Sequence, residues 1–420
     1  MLIKVLGTAH LTALHALNIG LGAAISAMAV LIAHRATRST AAAAAAGALV
    51  ALDPALVMYE AYALYEVFCA FLVMGAVLAL ALGAPRGSAR PLLVSVACVA
   101  ALVLTRSLYH LVVLLVAVAA ATALARSRRL VLVGGLACAL LPAGWYTKNL
   151  AQYGFFGSSS WYGIGLWRIA LFRYDPSTLL PLLLDGTFRP VVQLSPFTTP
   201  SRYQALGYRG TSDIPLLARD DFHNVNVPAI SRDYALSARW LIERDPLHYL
   251  GNVAIGFGMF AAPSTESDHL IPNRDRMGVH VTVWEVLWGL PLARRLDRLL
   301  PTGTTGSIFA LLIPLGIVAE ALRVIRRARR APPAVVLREE AAVLAAACLI
   351  LYTSVVGSAF ELGENVRFKF MIEPLLLTYT TILVVRIWPS AAGIDVPEPA
   401  KSADSGAPQD PESLAESKAL

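Results

Sequence analysis

The sequence is poor in charge, in cysteine and in clustered histidine, and each shortage excludes a class of protein. Only 15% of its 420 residues are charged against 57% hydrophobic, with a mean hydropathy of +0.61. A soluble globular chain has more polar residues than that. The four cysteines, Cys69, Cys98, Cys138 and Cys348, each lie inside an apolar run and none belongs to a CxxC pair. That placement argues against disulfides and a zinc site, and reads as small buried apolar side chains. The eight histidines are scattered without an i,i+4 pair, so the chain shows no metal motif and no evident cofactor, with a divalent ion left open. It also lacks an internal repeat and the paired Gly/Pro-interrupted spans that often mark transporters. The net charge of +7 does not point to nucleic acid, because many arginines sit in short loops between apolar runs, where they act as topology signals.

What the chain has is apolar runs near 20 residues, the signature of a polytopic membrane protein. The fold class expected is all-α, with about nine transmembrane helices and one long extracytoplasmic region. The runs fall at 9–33, 40–58, 66–83, 91–105, 108–124, 130–146, 307–322, 337–356 and 371–387. If the end of the first is cytoplasmic, alternation puts Arg35, Arg38, Arg86, Arg90, Arg126, Arg128, Arg129, Arg323, Arg326, Arg327, Arg329 and Arg330 inside. Before the long polar stretch, only Arg106 then lies in an outward connection. By the positive-inside rule the expectation is a plasma (inner) membrane protein, N-terminus and long loop outside, C-terminus cytoplasmic. Four regions follow: a six-span block at 1–146, an extracytoplasmic region at 147–306, a three-span block at 307–388 and a disordered cytoplasmic tail at 389–420. The tail is rich in Pro, Ala, Ser, Asp and Glu without apolar periodicity, and cannot bury enough surface to offset its ordering entropy.

Between Thr147 and Thr305 stand 15 Lys and Arg against 13 Asp and Glu, a balance that fits a folded exterior rather than a spacer. Ser231–Arg244 reads as a helix with Tyr234, Ala238 and Leu241 on one face and Pro246 ending it. Leu250–Ala262 is apolar but too short to span, which suits an interfacial or re-entrant helix. Val281–Leu300 is amphipathic, with Trp284 and Trp288 four apart as at a headgroup boundary.

Three stretches carry a resemblance. Pro54–Glu66 holds a Pro…Tyr…Glu pattern, Gly144–Gly163 a Trp-x-x-Lys-Asn…Phe-Gly…Ser segment, and Glu364–Pro374 a Glu-x-x-Arg-Phe…Pro turn. In that order, and on a shared outward side, they resemble the GT-C glycosyltransferase superfamily, in particular the prokaryotic branch related to protein O-mannosyltransferases and lipid A aminoarabinose transferases. The resemblance implies a glycosyltransferase with a polyprenyl-phosphate sugar as donor, membrane lipid around it, and an unknown glycan, lipid or protein as acceptor. It also implies an acidic catalytic residue in a first outward loop. Here the first span already runs outside to inside, so the expectation is either a lost catalytic base or a start placed too far downstream. The chain as written is then expected to bind donor but transfer sugar slowly or not at all, or to be a non-catalytic subunit that binds lipid-linked sugar.

The candidate residues each keep two readings. Arg367 and Lys369, with the acid Glu364 beside them, either hold the donor phosphate through charge-assisted bonds or anchor the helix end as snorkelling cations. Lys148, across the cleft, is a second phosphate contact, and Asn149 in the same segment joins the substrate-binding set through the resemblance. Glu66 is either a catalytic carboxylate or the structural partner of Arg106 in the next outward turn. His110 is a proton carrier or a hydrogen-bonded wall residue. Asp53 is a substitute base for an acceptor hydroxyl or a cap at the Pro54 kink.

Overall fold

The computed structural model describes residues 10–196, 198–208, 225–289 and 307–387. Among these the chain is all helical, apart from one isolated antiparallel bridge between Gly289 and Ser307. The first block holds α1 (His10–Thr37), α2 (Thr40–Ala51), α3 (Pro54–Glu60), α4 (Glu66–Gly83), α5 (Ala89–Thr105), α6 (Leu111–Leu124) and α7 (Arg128–Tyr153). Shorter helices follow: α8 (Tyr162–Leu171), α9 (Pro176–Leu184), α10 (Pro200–Ala205), α11 (Val227–Arg244), α12 (Pro246–Ala261), α13 (Ile271–Arg274) and α14 (Gly278–Trp288). The last block is α15 (Phe309–Ala328), α16 (Pro333–Ala359), α17 (Asn365–Phe370) and α18 (Glu373–Ile387).

Every expected span meets a helix, but length and composition alone support fewer than nine crossings among the described residues. By length and composition four helices, α1, α4, α7 and α16, can each cross a membrane, and α2 with α3 makes a fifth if that bent pair is one span. With 17 and 14 residues, α5 and α6 extend about 26 and 21 Å at 1.5 Å per residue, short of a hydrocarbon core of about 30 Å. α18 has 15 residues, and α15 carries Glu320, Arg323, Arg326 and Arg327 in its second half.

The bend between α2 and α3 is 50° and is written at Asp53-Pro54. Proline lacks an N–H and disfavours helical backbone at the residue before it. Asp53 is accordingly extended, and its carboxylate accepts from the Ala55 N–H at 2.9 Å, a cap of about 1 kcal/mol.

Two apolar cores result. The larger lies between α1, α2, α4, α5, α16 and α18, around fully buried Ile25, Val73, Val77, Val103, Ile350 and Leu377. α7 packs on α5 and α6 and leaves Leu132, Val133, Leu136, Leu140 and Leu141 exposed on its other flank, as a helix bordering lipid does. One end of this block is closed by charge. Glu320 and Glu340, almost fully buried, take the guanidinium groups of Arg323 and Arg386, and Arg327 bridges Glu340 to Glu339. Arg386 also donates to the Ala36 carbonyl at 3.2 Å, tying the end of α1 to the same network. Three carboxylates thus meet three guanidinium groups. Arg323 and Arg327, read from sequence as loop topology signals, are ion-paired residues inside α15.

The second core stands apart from the first and belongs to the polar middle of the chain. Ile164, Trp167 and Ile169 of α8 pack on Ile230, Tyr234, Ala238 and Leu241 of α11, with Phe188 edge-on to Trp167 at 5.7 Å. The helix expected at Ser231–Arg244 therefore forms with the expected face inward, but starts earlier, at Val227, because Asn226 caps it by accepting from Ala229 N–H and Pro228 fits its first turn. Gly163 sets the spacing. A Cβ there would lie 1.7 Å from the Ser231 carbonyl oxygen, and the Gly163 N–H donates to Ser231 Oγ at 2.9 Å.

α12 covers the apolar stretch expected at Leu250–Ala262 and packs on α16 and α17. α14 stops at Trp288, and Trp284 and Trp288 pack against protein: their rings meet edge-on at 5.9 Å and Trp288 stacks on Phe309 at 5.1 Å. Residues 290–300 of the expected amphipathic piece, and the 389–420 tail, lie outside the described residues.

Candidate functional site

A cavity of about 1040 Å³ opens where α4, α5 and α16 end against the outer helices α8 and α11. Three connections wall it. The first is the α5–α6 turn, with Arg106 and His110. The second is the segment Phe155–Gly163, which contributes Ser158, Ser159, Ser160, Trp161 and Tyr162. The third is the α16–α17 turn, with Glu361 and Glu364.

Each connection is fixed by its own sequence. In the first, the Tyr352 hydroxyl donates to the Leu108 carbonyl at 2.7 Å and buried Tyr109 pairs with Thr353 at 3.2 Å, so the turn is pinned to α16. In the second, α7 ends at Gly154, whose φ of +73° is the left-handed conformation glycine tolerates. Asn149 Nδ2 then donates to the Gly157 carbonyl at 2.7 Å, and Tyr146 meets both Phe156 and His110 edge-on. In the third, Asn365 Nδ2 donates to the carbonyls of Gly357 and Glu361, both at 3.0 Å, and its Oδ1 accepts from Gly363 N–H.

Behind the cavity wall lies a cluster of charge. Glu66, fully buried, pairs with Arg367 Nε at 2.5 Å, and Arg367 Nη1 reaches Glu364 at 3.3 Å. Arg106 lies 3.8 Å from Glu364, donates to the Tyr65 hydroxyl and sits 4.6 Å from the Phe368 ring centroid. The Glu66–Arg106 pair expected from sequence is therefore replaced by Glu66–Arg367, and Arg106 turns to Glu364 and Tyr65. Arg106, not Arg367, lines the cavity.

The other sequence candidates divide. His110 lines the cavity at the start of α6, and burial holds its imidazole below the ordinary range. Lys148 does not line it; the ammonium lies 3.8 Å from the Trp145 ring centroid. Lys369 is not at a headgroup surface either. It is fully buried, bonds Glu373 at 3.0 Å one turn along and sits 5.0 Å from the Phe309 ring centroid. Asp53 is fully buried and serves as the α3 cap, away from the cavity.

Sequence reasoning passed over Glu361, which the fold sets on the cavity wall. Its side chain is 19% exposed, and Arg168 of α8 bonds its Oε1 at 2.7 Å. Burial pushes its carboxyl up to about 7, against the opposing pull of Arg168 and with Glu364 adding to the rise. The available signal was weak: an acid two residues before a glycine, in the connection after an apolar run. Its partner, 193 residues earlier in the chain, has no local signature.

Among the described residues no group of three or more His, Cys, Asp or Glu is placed to hold a metal ion. Chemically, the cavity offers aromatic faces, hydroxyls, an imidazole, the two guanidinium groups of Arg106 and Arg232 and two carboxylates, a set suited to a polar ring attached to an anion. No protein-family model matches this chain, and neither does any curated protein or solved structure.

Proposed function

We propose that this chain is a membrane glycosyltransferase that takes a sugar from a polyprenyl-phosphate donor in the cavity and passes it to an acceptor on the outer side. The observation that carries the reading is the cavity itself. It joins the ends of apolar helices to a separately cored outer unit, so a lipid tail beside α4 and α5 and a polar head among Arg106, Ser158–Ser160 and Trp161 are reachable together. Arg106 is the donor-phosphate ligand in this reading, since its guanidinium reaches the cavity while that of Arg367 is occupied by Glu66 and Glu364. The aromatic rings of Trp161 and Tyr162 flank the sugar, and the serines supply hydrogen bonds to its hydroxyls.

The chain sits in the plasma (inner) membrane in this proposal. Its nine apolar helices alternate, the network of Glu320, Glu340 and Arg386 lies at the cytoplasmic end, and the cavity opens outward. The short helices α5 and α6 then cross with the help of the turns that flank them. Cysteine substitution at two exposed positions checks the orientation: Arg239→Cys should label from outside and Arg329→Cys from inside.

The function is tested by incubating the chain in nanodiscs with undecaprenyl-phosphate glucose, mannose and aminoarabinose and following release of undecaprenyl phosphate. Release with one of them supports the reading. Donor binding without release favours a non-catalytic subunit, a second reading suggested by Glu66 and Glu364 both being engaged by arginines. Absence of both binding and release would sink the proposal.

A further inference from the structure

We infer that Glu361 is the proton-accepting carboxylate of the cavity, taking the hydroxyl proton of the acceptor as the sugar is transferred. The inference rests on the glycosyltransferase reading and adds to it the group that moves the proton.

Three observations lead to this residue. The first is position. Among the described residues the carboxylates on the cavity wall are Glu361 and Glu364, and they differ in company. Glu364 stands between two guanidinium groups, Arg106 at 3.8 Å and Arg367 at 3.3 Å. Glu361 faces Arg168 alone at bonding distance.

The second is how Glu361 is held. Arg168 Nη1 and the Leu362 N–H both donate to Oε1, at 2.7 and 3.1 Å. Among the described residues these are its hydrogen bonds, so Oε2 keeps its lone pairs for a proton. Gly165 lets α8 come close to this turn: a Cβ there would lie 2.9 Å from Oε2 and 2.5 Å from the Phe360 carbonyl oxygen.

The third is the difference in environment between the two acids. A pair of carboxyl groups set in unlike surroundings divides the roles of charge and proton carrier. Glu364 is engaged between Arg106 and Arg367, whereas burial has moved Glu361 to about 7, where a base is best matched to neutral pH. The charged groups acting on it are Arg168 from α8, Arg106 from the α5–α6 turn and Glu364 from its own turn, and the other titratable groups lining the same cavity are His110, Arg232, Tyr65, Tyr162 and Tyr352.

The step balances. The acceptor oxygen forms a bond to the anomeric carbon while its proton passes to Glu361 Oε2. The bond from that carbon to the phosphate oxygen breaks, and its electron pair leaves with the polyprenyl phosphate, whose charge Arg106 faces. The Glu361 proton then returns to water. No oxidant, reductant or further reactant is required.

The test uses the full chain in nanodiscs, with Glu361→Gln as the principal variant. Glutamine keeps an oxygen for Arg168 and Leu362, so the turn is retained, and Glu361→Asp controls for reach. Three quantities are measured: binding of the undecaprenyl-phosphate sugars, their turnover against pH, and the carboxylic-acid band in infrared spectra titrated through neutrality. Glu361→Gln should bind donor as wild type does, lose about 10²- to 10⁴-fold in turnover, the usual range for general-base assistance, and lose the band that titrates near pH 7. Glu361→Asp should recover part of the rate with its profile moved toward lower pH. Wild-type turnover in Glu361→Gln, or a neutral-range band unchanged by it, would overturn the assignment. Should the wild type transfer no sugar, the transferase reading falls separately and the titration alone decides Glu361. Loss of the band in Glu361→Gln then shows only that Glu361 is the group titrating in the cavity, its role in transfer falling with the transferase reading, and persistence of the band overturns both.

Discussion

Replacing Arg367 with methionine should damage the fold far more than replacing its partner Glu66 with glutamine. Glu66 is fully buried, its Oε2 has no hydrogen-bond partner, and Arg367 is its ion partner among the described residues. Arg367→Met strands a carboxylate where water cannot reach it, and breaking a buried pair this way costs about 3–5 kcal/mol. Glu66→Gln leaves an oxygen for Arg367 Nε and leaves the guanidinium its contacts with Glu364 and His269, both at 3.3 Å. The loss there is that of one charged hydrogen bond, about 1.5–3 kcal/mol. The double variant Glu66→Leu/Arg367→Met removes both charges together and should recover most of the deficit, since apolar replacements of a buried pair are often close to neutral. Unfolding by titration with SDS in mixed micelles gives all three values. Equal costs for Arg367→Met and Glu66→Gln, or a double variant as costly as the sum of the singles, would refute a desolvated pair behind the cavity.

Three further outcomes are expected. Arg106→Gln should weaken binding of an undecaprenyl-phosphate sugar about 10- to 150-fold, the equivalent of 1.5–3 kcal/mol for a bond to a charged group, read by fluorescence titration; unchanged affinity removes Arg106 from the phosphate site. Gly163→Ala should cost about 1–3 kcal/mol or more through overpacking, because its Cβ would strike the Ser231 carbonyl, and limited proteolysis should then cut the outer helices while α1 to α7 survive. Stability should fall as pH rises from about 4.5 toward about 7, since Glu361 releases its proton at the lower value when unfolded and near the upper when folded. The folded state binds the extra proton in that window, so its advantage is complete below it and gone above it. Glu361→Gln should flatten this component of the pH–stability curve; an unchanged slope would assign it to another group.

Local features were legible in the sequence, and long-range partners were not. The face of α11 formed by Tyr234, Ala238 and Leu241, and the Asp53 cap before Pro54, follow from spacing and from proline geometry within a few residues. Lys369 and Glu373, four apart, also carried a readable pairing signal, but the helix end suggested headgroup depth and the pair was passed over. By contrast Glu66 and Arg367 are 301 positions apart, and Arg168 and Glu361 meet only once both cores have formed. Periodicity places a charge on a helix face without naming what it will face. Length and composition do not establish the span count for a related reason: an apolar run of 14 or 17 residues looks alike whether it crosses lipid alone or is sheltered by neighbouring helices.

The outer core has a consequence for how the molecule is made. Ile164 and Trp167 complete their packing only with Leu362, almost 200 residues later, and the cavity needs residues from Tyr65 through Phe368 at once. During synthesis the early helices can enter the membrane in sequence, while the outer half-core waits with apolar surface open until α16 and the turn after it have emerged. Such non-local closure is slow and leaves intermediates prone to aggregation. A ribosome stalled before Glu361 would thus yield an inserted chain without a binding cavity, its outer helices open to the proteases and chaperones that patrol the membrane surface.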